Sequence, residues 1–545
     1  MTNKKFKLAA MSLATAVAVS AVGPSASAVT YYLGDGSVTV DKDEKRGAYS
    51  YQGDDGSETN RTYVNEDEAD HGVINVKDGH EPTKTEPSTD NSDNGTAETT
   101  STDNTTDPSG NNTENSSTSE TTTGNTITVM EDVKKTEKTD GTEGNDVKIV
   151  VDSVNADTSE TGKSTVTIGE GADVDLTVKD SNLTTGGHGI DIGVNLDDKD
   201  DNKGANVDLT LDNTQINLTQ NGKAGINVQD NSNVDLTLKG ENAIDGSKAI
   251  ENEKEGILTK NVNVEGIRVG DGGASDGSGT SAGAETNLTI SGGVEKTETA
   301  ETDTEETESS AGGSLTISDT TGGLVMADGS DVEITDGANV TIEETKTSGS
   351  TQAGRGVTQH GDLTISGGSS LTIDGVEDNA KQASHTGIGI ASWDDITVED
   401  GSTLEISDAT TGIYGHQGSD ASLTVEDSAL NIAGSSFGID YEGAGKDKEG
   451  NVLKSAGDIT FDNAEVDINI TPETPNAAGY GIAAHGDSNI TFKNGTEAEI
   501  KVTSENPDAG TWGIYNERGG TGNLTVNDST VDIDANRGIY AGFQK

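Results

Sequence analysis

The stretch Leu363-Thr364-Ile365-Ser366-Gly367-Gly368-Ser369-Ser370-Leu371-Thr372-Ile373 holds two short strands, apolar–polar–apolar, on either side of a polar turn. The same pair recurs as Val332-Glu333-Ile334 with Val340-Thr341-Ile342, and as Ile396-Thr397-Val398 with Leu404-Glu405-Ile406. Further copies are Leu423-Thr424-Val425 with Leu430-Asn431-Ile432, Ile459-Thr460-Phe461 with Val466-Asp467-Ile468, Ile490-Thr491-Phe492 with Ala498-Glu499-Ile500, and Leu524-Thr525-Val526 with Val531-Asp532-Ile533. Within each pair the second strand begins 7 or 8 residues after the first, and successive pairs start 31, 33, 27, 36, 31 and 34 residues apart. A third element follows each pair, a glycine and then an aliphatic residue: Gly356-Val357, Gly387-Ile388, Gly412-Ile413, Gly438-Ile439, Gly481-Ile482, Gly513-Ile514, Gly538-Ile539. Fainter copies lie upstream, as in Val207-Asp208-Leu209-Thr210-Leu211 and Gly225-Ile226.

Three short strands per period, repeated many times, predict an all-β chain wound as a right-handed parallel β-helix. Period-2 alternation sends Ile, Leu and Val inward and leaves Thr, Glu, Asp and Asn in solvent. An array of antiparallel sandwiches would satisfy the alternation too, but not the regular glycine–aliphatic element.

Composition agrees with a thin solenoid. Of 545 residues only 29% are hydrophobic, too few for several compact cores. Acids outnumber bases 97 to 35, a net charge of -62 that disfavours phosphate-rich partners, nucleic acid included. Cysteine is absent, so disulfides, thiolate metal sites and cysteine nucleophiles are excluded.

Residues 1–28 have the layout of a secretory signal peptide: Lys4, Lys5 and Lys7, an apolar run from Leu8 to Val22, and the small-residue site Ala26-Ser27-Ala28. Its removal takes away three lysines and no acid, leaving the mature chain at about -65 with no transmembrane segment. An acidic region (29–80) and a Thr/Ser/Asn/Asp-rich linker (81–125) without apolar periodicity precede the repeats, which run from 126 to 545 with polar inserts near 270–283 and 295–310. The final Gly538-Ile539-Tyr540 lies one strand into a new turn, which gives the expectation of a truncated product.

Runs such as Ala205-Asn206-Val207-Asp208-Leu209-Thr210-Leu211-Asp212-Asn213 and the recurring glycine–isoleucine corners resemble the secreted parallel β-helix proteins of bacterial surfaces. These include adhesin-like passengers and the β-helical carbohydrate-binding-domain proteins of gut bacteria. The resemblance covers roughly residue 126 to the end. It implies an extracellular, cell-surface location and partners among extracellular glycans or a host or neighbouring cell surface.

Candidate sites follow from the third element. If the aliphatic residue after each glycine points inward, the residues one and three further on point outward. The first set holds Tyr414, Asp440, Ala483, Tyr515 and Tyr540; the second holds His360, Ala391, His416, Glu442, His485 and Glu517. Stacked turns would align His416, Glu442 and His485 into a polar row suited to metal binding or acid–base work. Tyr414, Tyr515, Tyr540 and Trp393 are the candidate glycan contacts, as aromatic faces suit the C–H surfaces of sugar rings. No Phe, Tyr or Trp lies between Tyr63 and Trp393, which reads as a spacer. The acid-rich turns Asp394-Asp395 and Glu399-Asp400-Gly401, with Asp528, Asp532 and Asp534, are calcium candidates if they cluster in space. No catalytic or cofactor-binding signature is found, and Arg268 and Arg355 are the only arginines between Arg61 and Arg518. The expectation is a secreted structural or adhesive surface protein without catalysis. The alternative is a carbohydrate-binding module on a β-helix, with a polysaccharide lyase or hydrolase as the remaining option.

Overall fold

The computed structural model describes residues 29–33, 37–43, 48–50, 73–78, 122–131, 133, 147–196, 203–253, 262–270, 285–293, 312–346, 354–377, 387–416, 418–419, 421–443, 457–474, 476–506, 508–516 and 522–541. The signal peptide, most of the linker and nearly all of both polar inserts lie outside the described residues. The chain is a parallel β-helix. Among the described residues a first sheet of 14 strands runs from Val29–Tyr32 to Leu524–Asn527, each strand hydrogen-bonded to the equivalent strand of the next turn. Second and third ladders run alongside it. The 13-residue strands Thr403–Gly415 and Ala429–Tyr441 pass through both without a break. Among the described residues all strand pairings between turns are parallel, and one hairpin, Val38–Asp43 with Ala48–Ser50, is antiparallel.

The stack reaches upstream of residue 126. Val29–Tyr32 pairs with Ile74–Lys77, and Val38–Val40 pairs with Ile127–Val129. These strands alternate like the later ones, with Val38 and Val40 inward, so they extend the same core. Only one short helix, Ser247–Asn252, interrupts the described strands, and no helix among the described residues is long and apolar enough to cross a membrane.

Register explains both the core and the glycine. In the first sheet Leu176, Leu209, Leu236, Ile290, Ile334 and Ile365 are partners across successive turns, spaced about 4.8 Å apart. Each buried aliphatic in such a ladder contributes about 1.5–3 kcal/mol. Against the third ladder lies an isoleucine ladder from the second. A β-carbon on Gly356 would overlap Ile373, and on Gly412, Gly438, Gly481 and Gly513 it would overlap Ile432, Ile468, Ile500 and Ile533. The glycine is required for space: any side chain there would occupy the isoleucine's place.

The bend from first to second sheet is turned by left-handed residues, among them Asp180, Asn213, Asp427, Asn463, Asn494 and Asp528, with φ between 48° and 58°. Asn and Asp tolerate this region best among non-glycine residues. Neighbouring turns are tied there, with Asn494 Nδ2 donating to Asp462 Oδ1 at 2.6 Å.

Candidate functional site

Three rows on the outer face of the third sheet carry the chemistry. One runs Gly322, Arg355, Ile388, Thr411, Phe437, Tyr480, Trp512, Arg537. A second runs Asp191, Asn227, Arg268, Val325, Thr358, Ala391, Tyr414, Asp440, Ala483, Tyr515, Tyr540. The third runs His360, Trp393, His416, Glu442, His485, as the backbone bonds Trp393 N to Gln359 O, His416 N to Ser392 O, Glu442 N to Gly415 O and His485 N to Tyr441 O show.

This register corrects one assignment. Ala391 belongs to the Tyr414 row, and the place beside His360 and His416 is taken by Trp393. The turn reads Gly387-Ile388-Gly389-Ile390, offering two glycine–isoleucine steps; Gly389 lies against Ile406 and faces Gly412, so the second step is the structural one. Sequence could not choose between them.

Trp393 consequently lies between two imidazoles. Its ring centroid is 4.2 Å from His360 and 4.7 Å from His416, with planes within 18° and 19° of parallel. Arg355 stands 5.7 Å from the same indole, and Tyr414 meets His416 edge-on. Beneath them Ile388, Ala391 and Tyr414 form a small buried cluster separate from the main core. Both faces of Trp393 are therefore covered, and a sugar ring could reach only its edge. Burial, followed by the Arg355 charge, holds the His360 pKa below its ordinary value. Burial and a hydrogen bond donated to Glu442 push the Tyr414 hydroxyl well up.

Further along, His485 Nε2 lies 3.4 Å from the buried Asp440 carboxylate. The row His416, Glu442, His485 is brought together as consecutive turns. Phe437 and Tyr480 stack at 4.9 Å, Tyr515 and Tyr540 at 5.2 Å, and Trp512 meets Tyr540 edge-on under the Arg537 guanidinium, 4.7 Å away. Most of these rings face one another along the rod axis.

An upstream cluster on the same face went unread in the sequence. Asp191 accepts hydrogen bonds from Asn227 (2.8 Å), Gln229 (3.1 Å) and Ser164 (3.3 Å). His188 Nδ1 accepts from the Ala224 N–H, and burial drives its pKa down to about 4, against the pull of Asp191. Arg268 pairs with Glu265, a fully buried carboxylate whose pKa burial raises. The turns here vary in length, so no fixed spacing links these residues in the sequence.

One grouping could hold a metal. Asp362, Asp394 and Asp395 bring carboxylate oxygens within 4.8 Å of one another, the only such grouping among the described residues. Burial, then the Asp362 charge, holds Asp394 up at about 6. The other sequence candidates, Glu399 with Asp400 and Asp528 with Asp532 and Asp534, form no such group among the described residues.

The fold defines the class, a three-sheeted parallel β-helix with one chemically distinct face. No protein-family model, no curated protein and no solved structure matches the chain.

Proposed function

We propose that this is a secreted, non-catalytic structural or adhesive rod of the cell surface, and that the outer face of its third sheet makes the contacts with extracellular glycans. One observation carries the reading. All four histidines (His188, His360, His416, His485), all three arginines (Arg268, Arg355, Arg537) and both tryptophans among the described residues sit on that face. A chain otherwise clothed in Asp, Glu, Thr and Asn concentrates its recognition-competent side chains on one side. Within the face, the field of Phe437, Tyr480, Trp512, Tyr515 and Tyr540 supports a glycan contact better than the covered Trp393 or the buried Tyr414. Individual contacts of about 1 kcal/mol give weak binding, raised by many copies on one surface.

A glycan array with the intact chain tests it. Binding that is lost in Trp512→Ala and Tyr480→Ala, and retained in Glu405→Ala on the second sheet, is the expected result. Binding unaffected by either aromatic substitution would remove the siting. Turnover of a polysaccharide that stops in Glu442→Gln would replace the non-catalytic reading with a hydrolytic one built on Asp440, Glu442 and His485.

A further inference from the structure

The corner between third and first sheets carries something the glycan reading does not use. Asp362 comes from one turn, and Asp394 and Asp395 from the next, at the point where the chain leaves the third sheet. Three carboxylates converge there, and among the described residues no lysine or arginine pairs with them. Asp395 Oδ1 accepts the Ser422 N–H at 3.0 Å, and Asp394 Oδ1 accepts the Asp395 N–H at 3.1 Å. These bonds orient the carboxylates, and the Asp362 and Asp394 carboxyl groups are themselves hydrogen-bond partners.

A second observation comes from the interior side of the same corner. Gln359 is fully buried; its Nε2 donates to the Asp395 main-chain oxygen at 2.6 Å, while its Oε1 has no partner. Tyr441 is also fully buried, and its hydroxyl has no partner. Its ring lies against Gly415, the one position in its row without a side chain. Unpaired polar atoms at full burial cost about 1–3 kcal/mol each. The Gln359 amide is bonded to the backbone of the acidic corner, to which a cation would bring a counter-charge and an acceptor-seeking centre.

We propose that Asp362, Asp394 and Asp395 form a divalent-cation site of the calcium type, clamping two consecutive turns together, with the Gln359 Oε1 and main-chain oxygens of the corner completing an all-oxygen shell. Calcium suits it: a hard ion that takes six to eight oxygens in irregular geometry. The site stands independently of any glycan contact.

Trp393 adjoins Asp394, and the only other tryptophan is Trp512, several turns away. Terbium(III), a calcium surrogate, added to the intact protein should therefore light up by energy transfer from Trp393. The expected result is sensitised emission that calcium competes away, that persists in Trp512→Phe, and that falls at least tenfold in Trp393→Phe, Asp394→Asn and Asp362→Asn. Asp458→Asn, an acid on the same corner row further along, should leave it unchanged, and circular dichroism checks that each variant keeps its strands. No emission, emission that survives Asp394→Asn in a folded protein, or emission that depends on Trp512 would each overturn the site.

Discussion

The second and third sheets are made by the same turns, in places by the same strand, and yet their outer faces have little in common. Along the second sheet the partners in register are Glu405, Asn431, Asp467, Glu499 and Asp532. Along the third, in those same turns, they are Tyr414, Asp440, Ala483, Tyr515 and Tyr540. A parallel stack makes every outward residue the neighbour of its counterpart about 4.8 Å away, so a row amplifies its own chemistry. On the second sheet this sets like charges opposite one another, which is destabilising. On the third it stacks rings, worth about 0.5–1.5 kcal/mol per pair. The net charge of the chain thus describes the second face and misdescribes the third.

The sharpest way to break the comparison is within the strand Thr403–Gly415, which serves both sheets. Gly412→Val drives a side chain into Ile432 and should cost about 3 kcal/mol, whereas Glu405→Thr on the exposed side should change stability by no more than about 0.5 kcal/mol. Urea unfolding of the two variants measures the gap. A loss at Glu405 equal to that at Gly412 would mean that both faces are packed.

Acid should separate the faces next. His188 is neutral in the fold, with a pKa of about 4 against 6.5 unfolded, set by burial, Arg268 and Lys223 against the pull of Asp191. Its contribution is complete above pH 6.5. It is lost as the pH falls toward 4, because the unfolded chain takes up the proton first. The loss should be on the order of 2–3 kcal/mol. His188→Gln should flatten the pH dependence of the urea midpoint by that amount, and an unchanged slope would show that His188 is not the group responsible.

The three-ring stack gives the third test. Trp393→Ala removes both imidazole contacts and should cost about 2 kcal/mol by chemical denaturation. The smallest effect belongs to the acidic row: Glu499→Lys, between Asp467 and Asp532, should stabilise by about 0.5 kcal/mol at low ionic strength. That gain should fade in molar salt, where the screening length is about 3 Å. A gain that persists there would point to packing.

Sequence carried the winding well because the strand pairs recur at near-constant spacing and the glycine–aliphatic step marks the third strand. The row from Tyr414 to Tyr540 was legible for the same reason. Contacts between turns were harder to see. Asp362 joins Asp394 and Asp395 only once the register of two turns is known, and Trp393 joins the histidines only once Gly389 rather than Gly387 is placed on the ladder. Around His188, Asp191 and Arg268 the turns differ in length and the pattern fades. At Val29–Tyr32 and Ile74–Lys77 the strands are separated by so much intervening chain that no period connects them.

The glycine ladder also bears on how the gene can drift. Every amino acid except glycine has a β-carbon, so every missense change at the codons for Gly356, Gly412, Gly438, Gly481 or Gly513 adds an atom where an isoleucine already sits. The adjoining outward codons have wide latitude. Variation among descendants should therefore collect on the faces and bends, while these few positions stay fixed by the absence of any tolerated alternative.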